Sequence, residues 1–429
     1  MAILPPDFIL DRSGNFGIMT ALLMAPLLGA AGMAVDVAHA LSLRTQLYAA
    51  ADAAAVGSIA EKSGAVAAAM AMSGNGTISF GKTDAHNIFM SQMSGELSNI
   101  QVDLDIDVTK AANKLNSQVS FNATVPTTFM RVLGRESITI SGRATAEYQT
   151  ASFMDFYILL DNTPSMGVGA TAKDVATMEK NTSDSCAFAC HETQNSNNYY
   201  NLAKKLGVSM RIDVVRQATK ELTQTAKTTR VSENQFRMGV YTFGTKAEDA
   251  KLTTISTPTD DLDKVRTYTD AVDLMTIPYQ GYNNDQQTSF DNALTQMKDI
   301  ITTPGDGSTS ATPQKILFFV SDGVGDSEKP KGCTKKLTGK RCQEPIDTSF
   351  CQPLKDKGVR IAVLYTTYLP LPKNSWYNTW IKPFQSEIPT KMQACASPGL
   401  YFEVTPTEGI AEAMKALFLK VIRAPRITS

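Results

Sequence analysis

The chain has 429 residues, a formal net charge of −1 and 43% hydrophobic residues, which is enough for two or more folded domains. The balanced charge gives no basic excess of the kind that binds nucleic acid. Its three histidines, His39, His86 and His191, neither accompany a plausible nucleophile nor form a zinc-hydrolase motif, so we expect no enzyme activity.

An uncharged apolar run near the N-terminus predicts a membrane span. Residues 16–35 carry no charged side chain, and a helix of about 20 apolar residues crosses a bilayer. Pro26 lies inside the run, where membrane helices tolerate proline. We predict a transmembrane helix at 16–35 after a short N-terminal segment at 1–15. A cleaved signal peptide is the alternative, but the run is long for one and only Arg12 precedes it as a basic residue.

The span leads into an alanine-rich stretch that predicts a helical stalk over residues 36–72. This region resembles the N-terminal segment of TadG-type proteins of the Tad/Flp pilus system. The residues that carry the resemblance are Arg12, Gly14, Asn15, Pro26, Leu27, Leu28, Asp36, Leu47, Ala51 and Asp52. Pilin-like members of that system are cleaved after a glycine with a glutamate five residues later. Gly14 has Met19 at that position, so we expect no such processing.

Residues 76–150 predict a small β-rich module, because apolar and polar side chains alternate along several segments. One such segment contains Asp103, Asp105 and Asp107, which could imitate a calcium-binding loop. The alternation instead places all three on one solvated strand face, and the glycine turn and distal glutamate of a calcium loop are missing.

From residue 151 to 429, predicted strands and helices alternate, which indicates a parallel sheet. The predicted strands are 155–161, 236–243, 251–255, 315–321, 358–366 and 400–404. The predicted helices are 199–228, 260–274, 289–302, 348–357 and 407–422. The expected fold class is α/β, with a doubly wound, mostly parallel, Rossmann-like sheet.

Oxygen-bearing side chains follow the buried strands of this predicted sheet. Asp161, Thr163 and Ser165 come directly after the apolar run Phe156–Leu160, and Asp322 follows a second such run. Thr288 begins a predicted helix between them. Carboxyl ends of parallel strands form the ligand-binding edge of such sheets, and hard oxygen donors suit Mg²⁺. The alternative for the first segment is an ordinary helix N-cap.

Together the three segments resemble the metal-ion-dependent adhesion site of von Willebrand factor A domains. That family has Asp-x-Ser-x-Ser on one loop, a threonine on a second and Asp-Gly on a third, and here Thr163 replaces the first serine. The resemblance implies that Ser165 and Thr288 contact Mg²⁺ or Mn²⁺ directly, with Thr163 as a third candidate. It implies that Asp161 and Asp322 act through water. A phosphatase-like use of Asp161 fails, because Thr163 stands where a second aspartate is needed.

Two polar insertions, near 166–198 and 324–348, leave the carboxyl edge and contain or adjoin most of the cysteines. The six cysteines are disulfide candidates, as expected of an exported domain: Cys186, Cys190, Cys333, Cys342, Cys351 and Cys395. The spacing from Cys186 to His191 is one residue too long for a haem-attachment motif, which favours a disulfide. The basic stretch 329–341 is either a clamp for an acidic partner or a solvated, disulfide-pinned loop, and we favour the loop.

These patterns predict a single-pass protein of the cell membrane with its C-terminal bulk in the periplasm or outside the cell. We expect it to act in assembly or adhesion by binding a carboxylate of a partner protein, a Tad/Flp pilus component, through a divalent ion. The alternative is a structural anchor or tip component in which the metal site is incidental.

Overall fold

The computed structural model describes residues 15–249, 251–368, 370–405 and 409–423. The predicted N-terminal segment at 1–15, including Gly14, lies outside these ranges except for Asn15. The chain divides into two compact units, Met1–Thr150 and Ala151–Ser429.

The first unit begins with a single long helix, α1 (Asn15–Ser58), which contains Pro26. The side chains of its first turns are apolar and exposed: Ile18 is 63% exposed and Leu22 is 72% exposed. Its segment Gly17–Ser58 is long and apolar enough to cross a membrane. An apolar surface on every side of a helix is typical of a membrane span, so α1 is suited to anchor the chain.

The second half of α1 packs against a four-stranded antiparallel sheet whose strands follow chain order. Leu43, Leu47 and Ala51 are buried there, in one core with Val119 and Phe121 of the sheet. The alanine-rich stretch, expected to be a stalk, is therefore part of the core of this unit. The remaining elements are α2 (Gly64–Ala71), β1 (Gly76–Thr77), α3 (Ser79–Ser91), β2 (Gln101–Ala111), β3 (Lys114–Pro126) and β4 (Ser137–Gln149).

The three aspartates of β2 lie on its exposed face, as the alternation predicted. Asp103, Asp105 and Asp107 are exposed, while the residues between them are half-buried. The strand is thus an ordinary half-buried strand.

The second unit is built on a six-stranded mixed sheet of order β14-β13-β10-β5-β7-β8. The first five are parallel to one another, and β8 pairs antiparallel with β7. The strands of this unit are β5 (Met154–Leu160), β6 (His191–Glu192), β7 (Phe236–Thr242), β8 (Thr253–Thr259), β9 (Thr276–Ile277), β10 (Gln314–Ser321), β11 (Val324–Glu328), β12 (Arg341–Pro345), β13 (Arg360–Thr366) and β14 (Tyr401–Val404).

Helices cover both faces of this sheet, because the central strand β5 is apolar on both sides. Phe156 and Ile158 pack towards α6, α7 and α11, whereas Tyr157 and Leu159 pack towards α8, α9 and α10. The helices are α4 (Ala172–Asn181), α5 (Tyr199–Lys205), α6 (Arg211–Thr229), α7 (Leu262–Tyr268), α8 (Phe290–Ile300), α9 (Gln352–Asp356), α10 (Ile388–Cys395) and α11 (Ile410–Arg423).

The helix predicted at 260–274 is shorter, Leu262–Tyr268, and the strand predicted at 251–255 lies at Thr253–Thr259. Three further differences concern the segments around the carboxyl edge of the sheet. The single helix predicted at 199–228 is broken into α5 and α6, since Gly207 has a φ of +67° and only glycine adopts that value readily. The insertion after Asp322 contains the hairpin of β11 and β12. A third excursion, 367–387, follows β13 and was not predicted; it includes a π-helical turn at Tyr377–Ile381.

Candidate functional site

Asp161 is the first residue after β5 and is completely buried. Its Oδ1 accepts hydrogen bonds from the backbone N–H and the hydroxyl of Thr163, at 3.0 and 2.7 Å, and its Oδ2 accepts one from Ser321 at 2.6 Å. Next to it, the Asn162 side chain donates to the carbonyl of Gly244 at 2.7 Å, which fixes the loop. The aspartate is therefore held in one orientation by three donors.

Three hydroxyl groups form a cluster next to this carboxylate. Thr288 donates to Thr163 with 2.8 Å between the oxygens, and the oxygens of Thr163 and Ser165 are 3.5 Å apart. Adjacent ligands of an octahedral Mg²⁺ ion lie about 2.9 Å apart, given Mg–O distances of about 2.1 Å. The spacing of these hydroxyl oxygens is thus compatible with ligation of one small divalent ion.

The loop that carries Thr288 is fixed by backbone pairing. Thr288 and Asp326 of β11 exchange two backbone hydrogen bonds of 2.7 and 2.9 Å. Ser289 caps α8 by accepting from the backbone of Asn292, so Thr288 stands immediately before the helix. The hairpin inserted after β10 therefore positions the second loop of the site.

Asp322 follows β10 and is also completely buried. Because β5 and β10 are parallel and Leu160 pairs with Val320, Asp161 and Asp322 emerge at the same edge. The Oδ1 of Asp322 accepts from the backbone of Val324 at 3.2 Å, and its Oδ2 accepts from Nη1 of Arg211 at 3.2 Å. The structure thus brings all five predicted residues to one edge, together with an arginine that was not predicted.

Burial is the main cause of the unusual protonation behaviour of both carboxyl groups. Loss of solvation, assisted by the negative charge of Asp322, raises the pKa of Asp161 to about 7. Burial also raises the pKa of Asp322, against the opposing effect of the Arg211 charge. Both carboxylates would gain from a further positive charge among them.

A cavity of about 280 Å³ adjoins the hydroxyl cluster at Ser165 and Thr288. Its apolar wall includes Phe188 and Trp376, whose rings meet edge to face at 6.0 Å. Arg341 lies over Trp376, with 5.9 Å from its guanidinium carbon to the ring centroid, and is paired with Asp326 through two bonds of 2.7 and 2.5 Å. Residues from the two predicted insertions and from the excursion 367–387 thus line this one cavity beside the site.

Two disulfides link cysteines of the second unit: Cys333 with Cys342, and Cys351 with Cys395. Cys186 and Cys190, which were also disulfide candidates, are free thiols that line the cavity. The other four cysteines are already paired with one another, and the Cys186 thiol instead donates to the carbonyl of Phe188 at 3.8 Å. The prediction of a disulfide for Cys186 and Cys190, whether local or across the insertions, is therefore wrong for this structure.

The basic stretch 329–341 is largely neutralised by acidic neighbours. Lys329 forms ion pairs with Asp291, Glu344 and Asp347 at 2.7–3.0 Å. Lys335 pairs with Glu387 at 2.5 Å. With the Cys333–Cys342 bridge, these contacts favour the interpretation as a pinned loop.

Sequence reasoning missed the residues that complete the site from distant segments. Arg211 lies at the start of α6, and nothing in its local sequence marks it as buried. Ser321, which holds Asp161, could have been found, because it directly precedes the predicted Asp322. Trp376 could have been found only as one of two tryptophans in the chain.

Three solved structures illustrate what the chain is similar to. The von Willebrand factor domain of the type V pili tip protein Mfa5 from Porphyromonas gingivalis is 10% identical, with 65% of this chain and 99% of that chain covered and a TM-score of 0.37. The pilus adhesin SpaC from Lactobacillus rhamnosus GG is 11% identical, with 77% and 34% covered and a TM-score of 0.36. The PilB minor pilin from Streptococcus sanguinis is 10% identical, with 77% and 79% covered and a TM-score of 0.34.

The comparison with curated proteins gave no match. A family match exists for the N-terminal part of the chain. Residues 14–60 match the Tad family, described as Flp pilus-assembly TadE/G-like. This range contains the whole of α1, the helix that is long and apolar enough to cross a membrane.

Proposed function

We propose that the protein is a membrane-anchored component of a Tad/Flp pilus system whose second unit is a von Willebrand factor A domain. In this proposal the unit captures a carboxylate of a partner protein through Mg²⁺ or Mn²⁺. The observation that carries it is the convergence of Asp161, Thr163, Ser165, Thr288 and Asp322, from three separate loops, on one edge of the sheet. The TadE/G-like helix supports the pilus context.

The division of labour among the residues follows from their chemistry. The hydroxyls of Ser165 and Thr288 are neutral ligands, with Thr163 beside them, while the fixed carboxylates of Asp161 and Asp322 accept hydrogen bonds from water. A divalent ion bound by such a set retains positive charge and an open coordination position for an incoming carboxylate. The adjoining cavity, with Phe188 and Trp376 in its wall, would receive the side chain next to that carboxylate.

The two disulfides support a location outside the cytoplasm, because such bonds persist in oxidising compartments. We therefore place the second unit in the periplasm or at the cell exterior, anchored by one span in α1. Native mass mapping that finds Cys333, Cys342, Cys351 and Cys395 reduced would overturn this placement.

Ser165→Ala and Asp161→Ala test the metal proposal in the full-length, detergent-solubilised protein. Each substitution should abolish Mn²⁺ and Mg²⁺ binding measured by calorimetry, because it removes a ligand or the group that orders the ligands. Circular dichroism should show an unchanged fold. Ser152→Ala is the matched control, since Ser152 precedes β5 at the opposite edge of the sheet, and it should bind like the unmodified protein.

The same variants test partner capture in cells. Flp pilus components should co-purify with the unmodified chain and be lost on chelation or with Ser165→Ala. Unchanged ion affinity in both Ser165→Ala and Asp161→Ala would sink the proposal.

A second candidate function is that of a structural anchor in which no ion is used. The observation in its favour is Arg211, a buried cation that already neutralises Asp322. Pilus assembly that survives joint substitution of Asp161, Thr163 and Ser165 by alanine would establish this alternative.

A further inference from the structure

Arg211 is a fully buried arginine beside the candidate metal site. It is the first residue of α6, and its backbone N–H donates to the carbonyl of Val168 at 3.0 Å, which ties the helix start to the loop after Ser165. Its side chain and that of Asp322 both have 0% exposure, and they are joined at 3.2 Å. The position is thus set by backbone structure, and the charge lies inside the protein.

The guanidinium makes few of the contacts that a buried arginine usually needs. Nη1 bonds to Asp322, but Nε and Nη2 are buried without a hydrogen-bond partner among the residues that the structure describes. The group lies over the ring of Tyr368, with 4.9 Å to the ring centroid. Burying a charge with two unpaired donors is unfavourable, so packing alone gives no reason for an arginine here.

The net charge of the site in each binding state gives a reason for an arginine at this position. With both carboxylates ionised, Asp161, Asp322 and Arg211 together carry −1. A divalent ion brings the site to +1, and a carboxylate from a partner then brings it to zero. With a neutral residue at position 211, the same three states carry −2, zero and −1. The arginine therefore weakens binding of the ion and strengthens binding of the carboxylate that follows.

We propose that Arg211 is a resident cation that lowers the affinity of the site for a divalent ion and raises the affinity of the ion-loaded site for a carboxylate. It balances Asp322 when no ion is bound, repels the arriving ion, and attracts the carboxylate that then binds to that ion. This inference rests on the proposed function, because it concerns the same site.

The test measures Mn²⁺ binding to the full-length protein by the loss of the free-ion electron paramagnetic resonance signal, at mildly alkaline pH. Sodium acetate is the carboxylate probe, and sodium chloride at equal ionic strength is its control. Arg211→Gln removes the charge and Arg211→Lys keeps it. Arg216→Gln is the matched control on the same helix, since Arg216 pairs with Asp213 at 2.5 Å, away from the site.

Arg211→Gln should bind Mn²⁺ about tenfold more tightly or better, because a like charge in a poorly solvated site has been removed. The acetate concentration that doubles Mn²⁺ affinity should be about tenfold higher in this variant than in the unmodified protein, because its ion-loaded site attracts the carboxylate less strongly. Arg211→Lys and Arg216→Gln should behave like the unmodified protein. A purely structural role would instead weaken both binding events together.

Mn²⁺ affinity that is equal or lower in Arg211→Gln, or a doubling of Mn²⁺ affinity that needs no more acetate in it than in the unmodified protein, overturns the inference. If Arg211→Gln is unfolded without ion, Mn²⁺ must raise its melting temperature more than that of the unmodified protein, and failure to do so also overturns it. Binding of Mn²⁺ by Arg211→Gln alone would support the inference while refuting the proposed function. Equal binding by both proteins would do the reverse.

Discussion

The two ends of β5 each carry a buried aspartate, and the two are held in opposite ways. At the amino end, Asp155 accepts two bonds from Arg237 at 2.6 and 2.8 Å, and Arg237 is 37% exposed on its side chain. At the carboxyl end, Asp161 is held only by hydroxyl and backbone donors and faces a second acid, Asp322. β5 thus has a neutralised aspartate–arginine pair at its amino end and an acidic cluster at its carboxyl end.

This difference shows that burial of an acid does not by itself mark a functional site. Asp155 is paired with the guanidinium of Arg237, which is partly exposed to solvent, so the charge of Asp155 is neutralised within the protein. Only one arginine, Arg211, lies beside Asp161 and Asp322 in the part of the chain that the structure describes, and it bonds to Asp322 alone. What distinguishes the carboxyl edge is the excess of negative charge and of hydroxyl oxygens, which suits a cation from outside.

Double-mutant cycles on the two aspartate–arginine pairs should give the largest effect. Arg211→Gln in the absence of ions should lower the free energy of unfolding by about 3 kcal/mol, because it leaves the fully buried Asp322 unpaired. Arg237→Gln should cost about 2 kcal/mol, less than Arg211→Gln, since the pair of Arg237 with Asp155 is partly solvated. Chemical denaturation of single and double variants would give both coupling energies.

Adding Asp322→Asn to Arg211→Gln should recover most of the lost stability, because both charges are then gone. A coupling energy for Arg211 and Asp322 no larger than that for Arg237 and Asp155 would contradict the comparison.

Removal of the charge at the amino end should affect stability and leave ion binding untouched. Asp155→Asn should lower the free energy of unfolding by about 2 kcal/mol, because a bidentate, charge-assisted pair with Arg237 is lost. Its Mn²⁺ affinity by calorimetry should equal that of the unmodified protein. Ion binding that falls as far as in Asp161→Ala would show that the two edges are not independent.

Sequence patterns were sufficient to predict the strands that precede the site, because their positions depend on the local sequence. The apolar run before Asp161 predicted a buried strand, and β5 lies within one residue of that prediction. The same holds for β10 before Asp322. Because parallel strands share one carboxyl edge, the meeting of Asp161 and Asp322 could also be predicted, whereas Thr288 was added by the resemblance to the metal-ion-dependent adhesion site.

Contacts between distant segments could not be predicted in the same way. Burial of Arg211 depends on the break at Gly207, which turns α6 so that its first residue enters the site. The cavity wall depends on the fold of the excursion that carries Trp376. The alanine-rich sequence in the second half of α1 is compatible both with a solvated stalk and with a helix packed on a sheet, because small side chains are tolerated in either. In each case, tertiary packing decides what the local pattern leaves open.

The smallest effect should come from Thr288→Val, which replaces one hydroxyl by a methyl group of similar size. Thr288 donates to Thr163 at 2.8 Å and is 4% exposed, so the loss of this bond should cost about 1 kcal/mol of unfolding free energy. If Thr288 is also a ligand, Mn²⁺ affinity should fall about tenfold, a binding loss of about 1.4 kcal/mol. Thr302→Val, a threonine outside the site, is the control and should leave Mn²⁺ affinity unchanged. A loss of stability with normal Mn²⁺ affinity would leave Thr288 as a support for Thr163, and the carboxyl edge would then differ from the amino edge by its charges alone.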